Sequence, residues 1–369
     1  MADHQIPFFG VAREFAAHRQ EMMARIEAVL SSGQVLQGKE IPSLESRMAK
    51  LAGRKYAVAV NSATDALFFA LLASGIQPGD EVLVPDFTFI ASASCVSRLG
   101  AVPVFVDVDN TYNLDLKQAV AQLTPQTKAM VYVHLYGQMG DPETVEGFAQ
   151  EHGLVLIEDA AQAISGSYGG RPAGSLGQAS CFSFDPTKPV SAPGSAGMLL
   201  TDDLGIATHV QWLRYHGRAQ DRRFVTLGYN SQMPSLTAAV LDLKLDHAAA
   251  WLARRREIAH FYIDRLSGLD LVTPGEQPNA VHVYHKFVIR SSERDALRSH
   301  LAEHNVQVQV HYPLPLHRQP CFSNLPHDDT LYPTSLAFSG TVLSLPIHPF
   351  LSDAEVETVV DAIRQFYDR

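Results

Sequence analysis

The stretch Leu154-Val155-Leu156-Ile157-Glu158-Asp159-Ala160-Ala161-Gln162 decides the fold. Leu154–Ile157 is apolar at every position and only four residues long, as expected of a strand buried on both faces. It runs into a carboxylate, Asp159, at the strand end where parallel sheets present their ligands. The pattern recurs outward. Tyr56–Val60, Glu81–Val84, Val102–Val106 and Ala129–Val133 precede it, and Ala179–Phe184 and Gly197–Thr201 follow. Helical patterns such as Ala63–Ser74 and Thr88–Leu99 lie between them. Buried strands alternating with helices predict an α/β fold with a mostly parallel sheet covered on both faces.

Further on the pattern changes. Leu236, Val240, Leu243, His247 and Trp251 recur at helical spacing within Ser235–Leu266. Two strand-like pieces follow, His282–Ile289 and Val306–Val310, then a Pro-rich loop, His311–Pro320. Asp353–Tyr367 reads as a closing helix with Ser352 as its N-cap. We therefore expect a large α/β domain over residues 1–250 and a smaller α+β domain over 251–369. A chain of 369 residues is long enough for two domains at about 150 residues each.

Composition narrows the function. Hydrophobic residues make up 46% and charged residues 18%, an ordinary globular balance. Lys and Arg number 29 against 39 Asp and Glu, a net charge of −10. With no basic run, this argues against nucleic-acid and anionic-membrane binding. Cys95, Cys181 and Cys321 are too few and too scattered for a disulfide framework or a zinc ribbon. A reducing, cytoplasmic compartment is the expectation. The start, Met-Ala-Asp-His-Gln-Ile, has no signal-peptide pattern, and no apolar run approaches a membrane span.

Five local features carry chemistry. Asn61-Ser62-Ala63-Thr64-Asp65 opens a helix after a strand, where free backbone N–H groups suit a phosphate; an ordinary helix cap reads equally well. Asp159 can face a protonated ring nitrogen, or simply cap the next turn. Lys188, in Ser183-Phe184-Asp185-Pro186-Thr187-Lys188, lies among small and apolar residues. Burial there would lower its pKa and suit it to a Schiff base, although most lysines are solvated. Gly228-Tyr229-Asn230-Ser231-Gln232-Met233 is either a functional segment or a turn. His311-Tyr312-Pro313-Leu314-Pro315-Leu316-His317 holds two histidines six apart. Without a helical His pair or nearby cysteines they do not make a metal motif, and no metal is expected. The P-loop, the dinucleotide-binding G-x-G-x-x-G and the G-x-S-x-G elbow are all missing.

Taken as an ordered set, Asn61–Leu67, Pro85–Ser92, His134–Gly137, Glu158–Ala163, Ser183–Lys188, Gly228–Met233 and His311–Pro320 resemble the DegT/DnrJ/EryC1/StrS family. These are pyridoxal-phosphate-dependent sugar aminotransferases of the aspartate-aminotransferase fold, type I. The likeness runs from about Phe8 to Val342-Leu343-Ser344-Leu345-Pro346. It implies that Lys188 forms the Schiff base with pyridoxal 5'-phosphate and that Asp159 pairs with the pyridinium nitrogen. It further implies that Gln162 bonds the phenolic oxygen, that Phe89 stacks on the ring, and that Ala63, Thr64 and Ser183 hold the phosphate. Asn230 would reach the phosphate of the neighbouring subunit, giving a homodimer with shared active sites.

The sequence departs from the family in places. Pro189-Val190 follows the lysine instead of Asn-Leu, and Ser195-Ala196-Gly197 stands where Asp-Gly-Gly or Glu-Gly-Gly is common. Ser62-Ala63-Thr64 replaces Ser-Gly-Thr, and Gln232 replaces an Arg. These changes touch the substrate pocket. Relatives with histidine for the lysine act as dehydratases, and Lys188 argues against that branch.

The implied reaction moves an amino group from an amino acid, expected to be L-glutamate, to a nucleotide-linked keto-sugar. Position C3 is expected, because Gln162 stands where 4-amino-forming relatives more often have histidine, and because of the His311–Pro320 loop. His311, Tyr312 and His317 are candidate substrate residues. A cyclitol (scyllo-inosose-type) or 4-keto-sugar substrate is the alternative, as is a non-catalytic, ligand-binding regulator.

Overall fold

The computed structural model describes residues 5–326 and 328–368. Two helices, α1 (Val11–Ser32) and α2 (Glu40–Ala52), lead into β1 (Tyr56–Val60). Then come α3 (Ala63–Ala73), β2 (Glu81–Pro85), α4 (Ala91–Arg98), β3 (Val102–Val106), the short α5 (Leu116–Ala119), β4 (Thr127–Val133), α6 (Pro142–Glu151) and β5 (Val155–Asp159). A small ribbon, β6 (Ser167–Tyr168) and β7 (Arg171–Pro172), precedes β8 (Ala179–Ser183), β9 (Gly197–Thr201) and α7 (Leu204–Leu213). The 31-residue α8 (Ser235–Arg265) leads to β10 (Ala280–Val281), β11 (Phe287–Arg290), α9 (Arg294–Glu303), α10 (Pro333–Thr341), β12 (Val342–Leu345) and α11 (Asp353–Tyr367).

The seven-stranded sheet has the order β1-β9-β8-β5-β4-β2-β3. Only β9 runs against its neighbours, β1 and β8; the other pairs are parallel. Strand alternation divides the apolar residues between two cores. Val58, Val60, Val82 and Val84 face one, against Phe68 and Leu71 of α3. Ala57, Ala59, Leu83 and Met130 face the other, against Leu44 and Met48 of α2. Apolar residues on both faces explain the unbroken hydrophobic runs in the sequence. A third cluster gathers Tyr262, Phe287, Leu297, Leu343 and Val359 around the β11–β12 pair. The long α8 runs through residue 250. It buries Val240 and Leu243 against Met22 of α1 near one end, and Ile258 and Tyr262 in the third cluster near the other.

Most expected elements appear within a residue or two of their expected limits, and Ser352 caps α11 through a capping box with Glu355. Three differ. The strand expected over His282–Ile289 is reduced to Phe287–Arg290 beside a two-residue β10. Its first half is instead bound to the loop after β4: Val283 N–H donates to Gly137 O and His285 N–H to Tyr136 O, both at 2.9 Å. The His282 ring also accepts from Tyr284 N–H at 2.9 Å. Val306–Val310 makes single bridges to Ile6 and Ser344 and no continuous ladder. The helix expected from Thr88 starts at Ala91, which frees Thr88 and Phe89 for the cleft described next. Among the described residues no helix is long and apolar enough to cross a membrane.

Candidate active site

One edge of the sheet collects the ends of β1, β2, β5 and β8 and, because β9 is reversed, its beginning. A cleft of about 430 Å³ opens there. At one end, β1 hands over to α3. Ser62 caps the helix, accepting from Asp65 N–H at 3.1 Å. The N–H groups of Ala63 and Thr64 are left at the open helix start, the usual receptor for an anion. Gly197 makes the close approach of β9 possible. A Cβ there would stand 2.2 Å from the Ser62 carbonyl carbon and 2.4 Å from Ala63 N. Ser183, the last residue of β8, lines the same cleft.

Asp159 is the last residue of β5 and is buried. Its carboxylate accepts from Ser92 Oγ at 2.9 Å and from Ala161 N–H at 3.1 Å. Burial pushes its pKa up, against the pull of those two donors and of the Lys188 charge. Such a carboxylate is set to take a cation facing it. The period of two sends its neighbour Glu158 to the other face. There it accepts from Gly174 N–H and Leu176 N–H, each at 2.7 Å, and pairs with His134 at 2.8 Å. The two adjacent carboxylates thus have separate duties, and only Asp159 lines the cleft.

Lys188 follows β8 in a turn built by Asp185, which accepts from Thr187 N–H and Oγ1 at 2.9 and 2.6 Å. Burial lowers the Lys188 pKa, with the charges of Asp159 and Asp185 opposing. Its amine is thereby made available as a nucleophile and proton acceptor. Gln162 is buried, and its Oε1 accepts from Tyr136 N–H at 2.8 Å. With the oxygen spent, the Gln162 amide N–H groups are left for the cleft, where Tyr312 Oη lies 3.5 Å away. Phe89 is 52% exposed on the cleft wall, its ring 6.2 Å from that of Tyr312. Thr88 Oγ1 is buried there without a hydrogen-bond partner.

His311 and Tyr312 also line the cleft. His311 Nδ1 is 2.9 Å from Ser344 Oγ, and burial, helped by the charges of Lys286 and Lys188, holds its pKa down at about 3, so it is neutral. Two expected residues lie elsewhere. His317 does not reach the cleft. Its ring nitrogens face Asp86 at 2.7 Å and Asp329 at 3.1 Å, and the ring stacks on Tyr332 at 4.3 Å. It pins the Pro-rich loop to the end of β2. Asn230 is exposed, outside the cleft of its own chain. Sequence reasoning gave no role to Thr88 or Ser92, although both stand in the motif Pro85–Ser92. Lys286 and His285, which also line the cleft, had no signal at all.

The DegT/DnrJ/EryC1/StrS aminotransferase family matches the chain over residues 16–364. The chain belongs to this family. A relative from Acidithiobacillus ferrooxidans, UDP-N-acetyl-3-dehydro-alpha-D-glucosamine 3-aminotransferase, is 38% identical over 98% of this chain and 97% of its own. A Geobacillus stearothermophilus relative called a pleiotropic regulatory protein is also 38% identical, over 98% of each chain. The crystal structure of S. venezuelae DesV in complex with a ketimine intermediate superposes with a TM-score of 0.96, at 37% identity over 99% of each chain. As a DegT/DnrJ/EryC1/StrS member the chain is a transaminase of the aspartate-aminotransferase fold, and its cofactor is pyridoxal 5'-phosphate. The residues present fit that group. The partnerless Thr88 Oγ1, the open α3 start kept clear by Gly197, and a buried carboxylate and a lysine lining the same cleft supply a set of groups for a phosphorylated pyridine aldehyde.

Proposed function

We propose that this chain moves an amino group from L-glutamate to C3 of a nucleotide-linked keto-hexose, with Lys188 and Asp159 as catalytic residues. The observation that carries this reading is that a buried Asp159 and Lys188, whose pKa burial lowers, line one cleft. Lys188 Nζ would hold the cofactor covalently, and its free amine would move the proton on and off the donor and sugar carbons. Asp159 holds the ring nitrogen protonated, and Gln162 donates its amide to the phenolic oxygen. Ala63, Thr64 and Ser183 receive the phosphate and Phe89 covers the ring. When bound, the cofactor supplies an electron sink. His311 and Tyr312, on the open side, meet the sugar.

The preference for C3 is supported by the Acidithiobacillus relative, whose name states 3-amination. Matched 3-keto and 4-keto nucleotide sugars, given with excess glutamate, test it. We expect 2-oxoglutarate release to favour the 3-keto compound at least tenfold in kcat/KM. Preference for the 4-keto sugar or a cyclitol ketone would overturn the position while leaving the transaminase in place. A regulatory role, suggested by the name of the Geobacillus relative, predicts no release with any of them.

The same reading includes a homodimer with shared sites. Phe224, Val225 and Leu227 are 69%, 46% and 92% exposed on the segment that leads to Asn230. Such an apolar arm is suited to cover by a second copy. Mixing Lys188→Ala with Asn230→Ala protomers then creates one fully native site per heterodimer. Activity should rise above both parents, to roughly a quarter of wild type at random exchange. Activity no greater than the parental sum, or a fully active monomer in sedimentation, would overturn it. We place the division between the large and small domains near residue 250, within α8, and the reaction in the cytoplasm, in keeping with the free thiols of Cys95, Cys181 and Cys321.

A further inference from the structure

We propose that Lys286 is the group that receives the carboxylate of the amino donor. The inference rests on the transaminase reading above and assigns a residue to one half of that reaction. Lys286 precedes β11 and is 5% exposed. It lines the same cleft as Lys188 and Asp159, and a smaller recess beside it.

Its surroundings are unlike those of the other buried cations. Lys244 is paired with Glu14 and donates to Ser191 O at 2.5 Å. Arg255 donates to Ile347 O at 2.8 Å and to Tyr284 O at 3.3 Å. The ammonium of Lys286 has only ring faces, 4.8 Å from the centroid of Phe8 and 4.4 Å from that of Phe9. Among the described residues no carboxylate lies within salt-bridge distance of it; Asp185, whose Oδ1 is held by Thr187, acts on it only through its charge. Cation–π contacts help an ammonium but do not take up its three N–H donors, which are left to the cleft. A buried charge without a hydrogen-bonded counter-ion is costly. Burial, with the Lys188 and Arg255 charges, drives its pKa well down against the opposing charge of Asp185. His285 and His311 beside it are also held neutral and offer no anion. A hydrogen-bonded counter-ion has to arrive with the ligand.

The chemistry of the donor specifies that partner. An amino acid carries its α-carboxylate on the very carbon whose amine is transferred, so the carboxylate must come to rest close to Lys188. A compact ammonium among aromatic faces matches a single carboxylate. A sugar diphosphate needs several donors and an open exit for its nucleoside, whereas Arg255, the neighbouring cation, commits Nη1 to two backbone carbonyls and its partnerless Nε is buried. The phosphate of the cofactor has its own receptor at the start of α3.

The test uses the full-length, cofactor-loaded protein and separates the two half-reactions. In Lys286→Met the visible band of the bound cofactor should persist. The L-glutamate concentration that half-bleaches it should rise about 10- to 100-fold, the worth of a charge-assisted hydrogen bond. Glutarate, an unreactive dicarboxylate, should bind correspondingly less tightly in calorimetry. The return half-reaction, from the amine form with a 3-keto nucleotide sugar, should stay within about twofold, because that substrate brings no donor carboxylate. Lys286→Arg should recover part of the glutamate affinity. Unchanged glutamate and glutarate binding would overturn the proposal; so would an equal loss in both halves, or a loss confined to the sugar half, which would assign Lys286 to the diphosphate. If Lys286→Met loses the cofactor, Lys286→Gln is read by the same criteria. A wild-type band that glutamate does not bleach would instead defeat the transaminase reading, so the two failures are distinguishable.

Discussion

Replacing Lys188 by alanine is expected to leave a folded, cofactor-binding protein whose turnover falls by at least about 10³-fold. The fold should survive, because the turn that carries Lys188 is built by Asp185 and Thr187, and the lysine side chain supports no hydrogen bond within it. The open helix start, Asp159 and Gln162 remain to hold the cofactor. Two proposed functions vanish together: the covalent anchor exchanged for the donor amine, and the amine released at that anchor to move the carbon-bound proton. Asp159 cannot replace that base, since its oxygens are engaged by Ser92 and Ala161. His311, its pKa held down at about 3, is too weak a base, and its Nδ1 is engaged by Ser344. The checks are 2-oxoglutarate release, single-turnover bleaching with glutamate, and a thermal midpoint within a few degrees of wild type. A variant that transaminates at near wild-type rate would show that another group does this work.

The large sheet was legible because its information is local. Each strand is a short apolar run, and the burial of both faces removes the alternation that would make it ambiguous. Asp159 and Lys188 stand out as candidates for a related reason: Asp159 closes one such run and Lys188 lies in the turn that follows another. The second half of the chain was harder. His282–Ile289 has strand composition, yet its first half spends its backbone donors on the loop around Tyr136 and Gly137. That competition is set by a segment some 145 residues away. His317 looked like a ligand because it lies in the same Pro-rich loop as His311. What separates them is Asp86, which the chain brings in from the end of β2 to hold the His317 ring. Lys286 was invisible for the opposite reason. A lysine next to an apolar run reads as a solvated face, and its burial under Phe8 and Phe9 depends on the far end of the chain. Asn230 illustrates a further kind of limit: one chain leaves it exposed, and its proposed partner is a second copy.

Asp159→Asn is expected to cost about 10³-fold in turnover while leaving cofactor and fold in place. The amide is nearly isosteric, and its oxygen can keep the bond from Ala161 N–H. Its NH₂ can donate to Ser92 Oγ once the hydroxyl turns, so the buried hydrogen bonds are exchanged rather than lost. What disappears is one negative charge on a side chain that is itself buried. A unit charge at ion-pair distance is worth roughly 4 kcal/mol at an effective dielectric of about 20. If that interaction acts wholly on the transition state, the rate falls by about a thousandfold. The wild-type carboxyl is already pushed up in pKa by burial, so its charge is held by what faces it. A cation there brings the pKa down again, and a neutral group would not. The decisive measurement is therefore the single-turnover rate with saturating glutamate, compared with that of Lys188→Ala. In Asp159→Asn the visible band should shift, glutamate should still saturate with a similar half-point, and only the limiting rate should collapse. A limiting rate within about threefold of wild type would mean that the charge on Asp159 is not what keeps the ring nitrogen protonated, and Asp159 would then be a structural cap for the turn at Ala161.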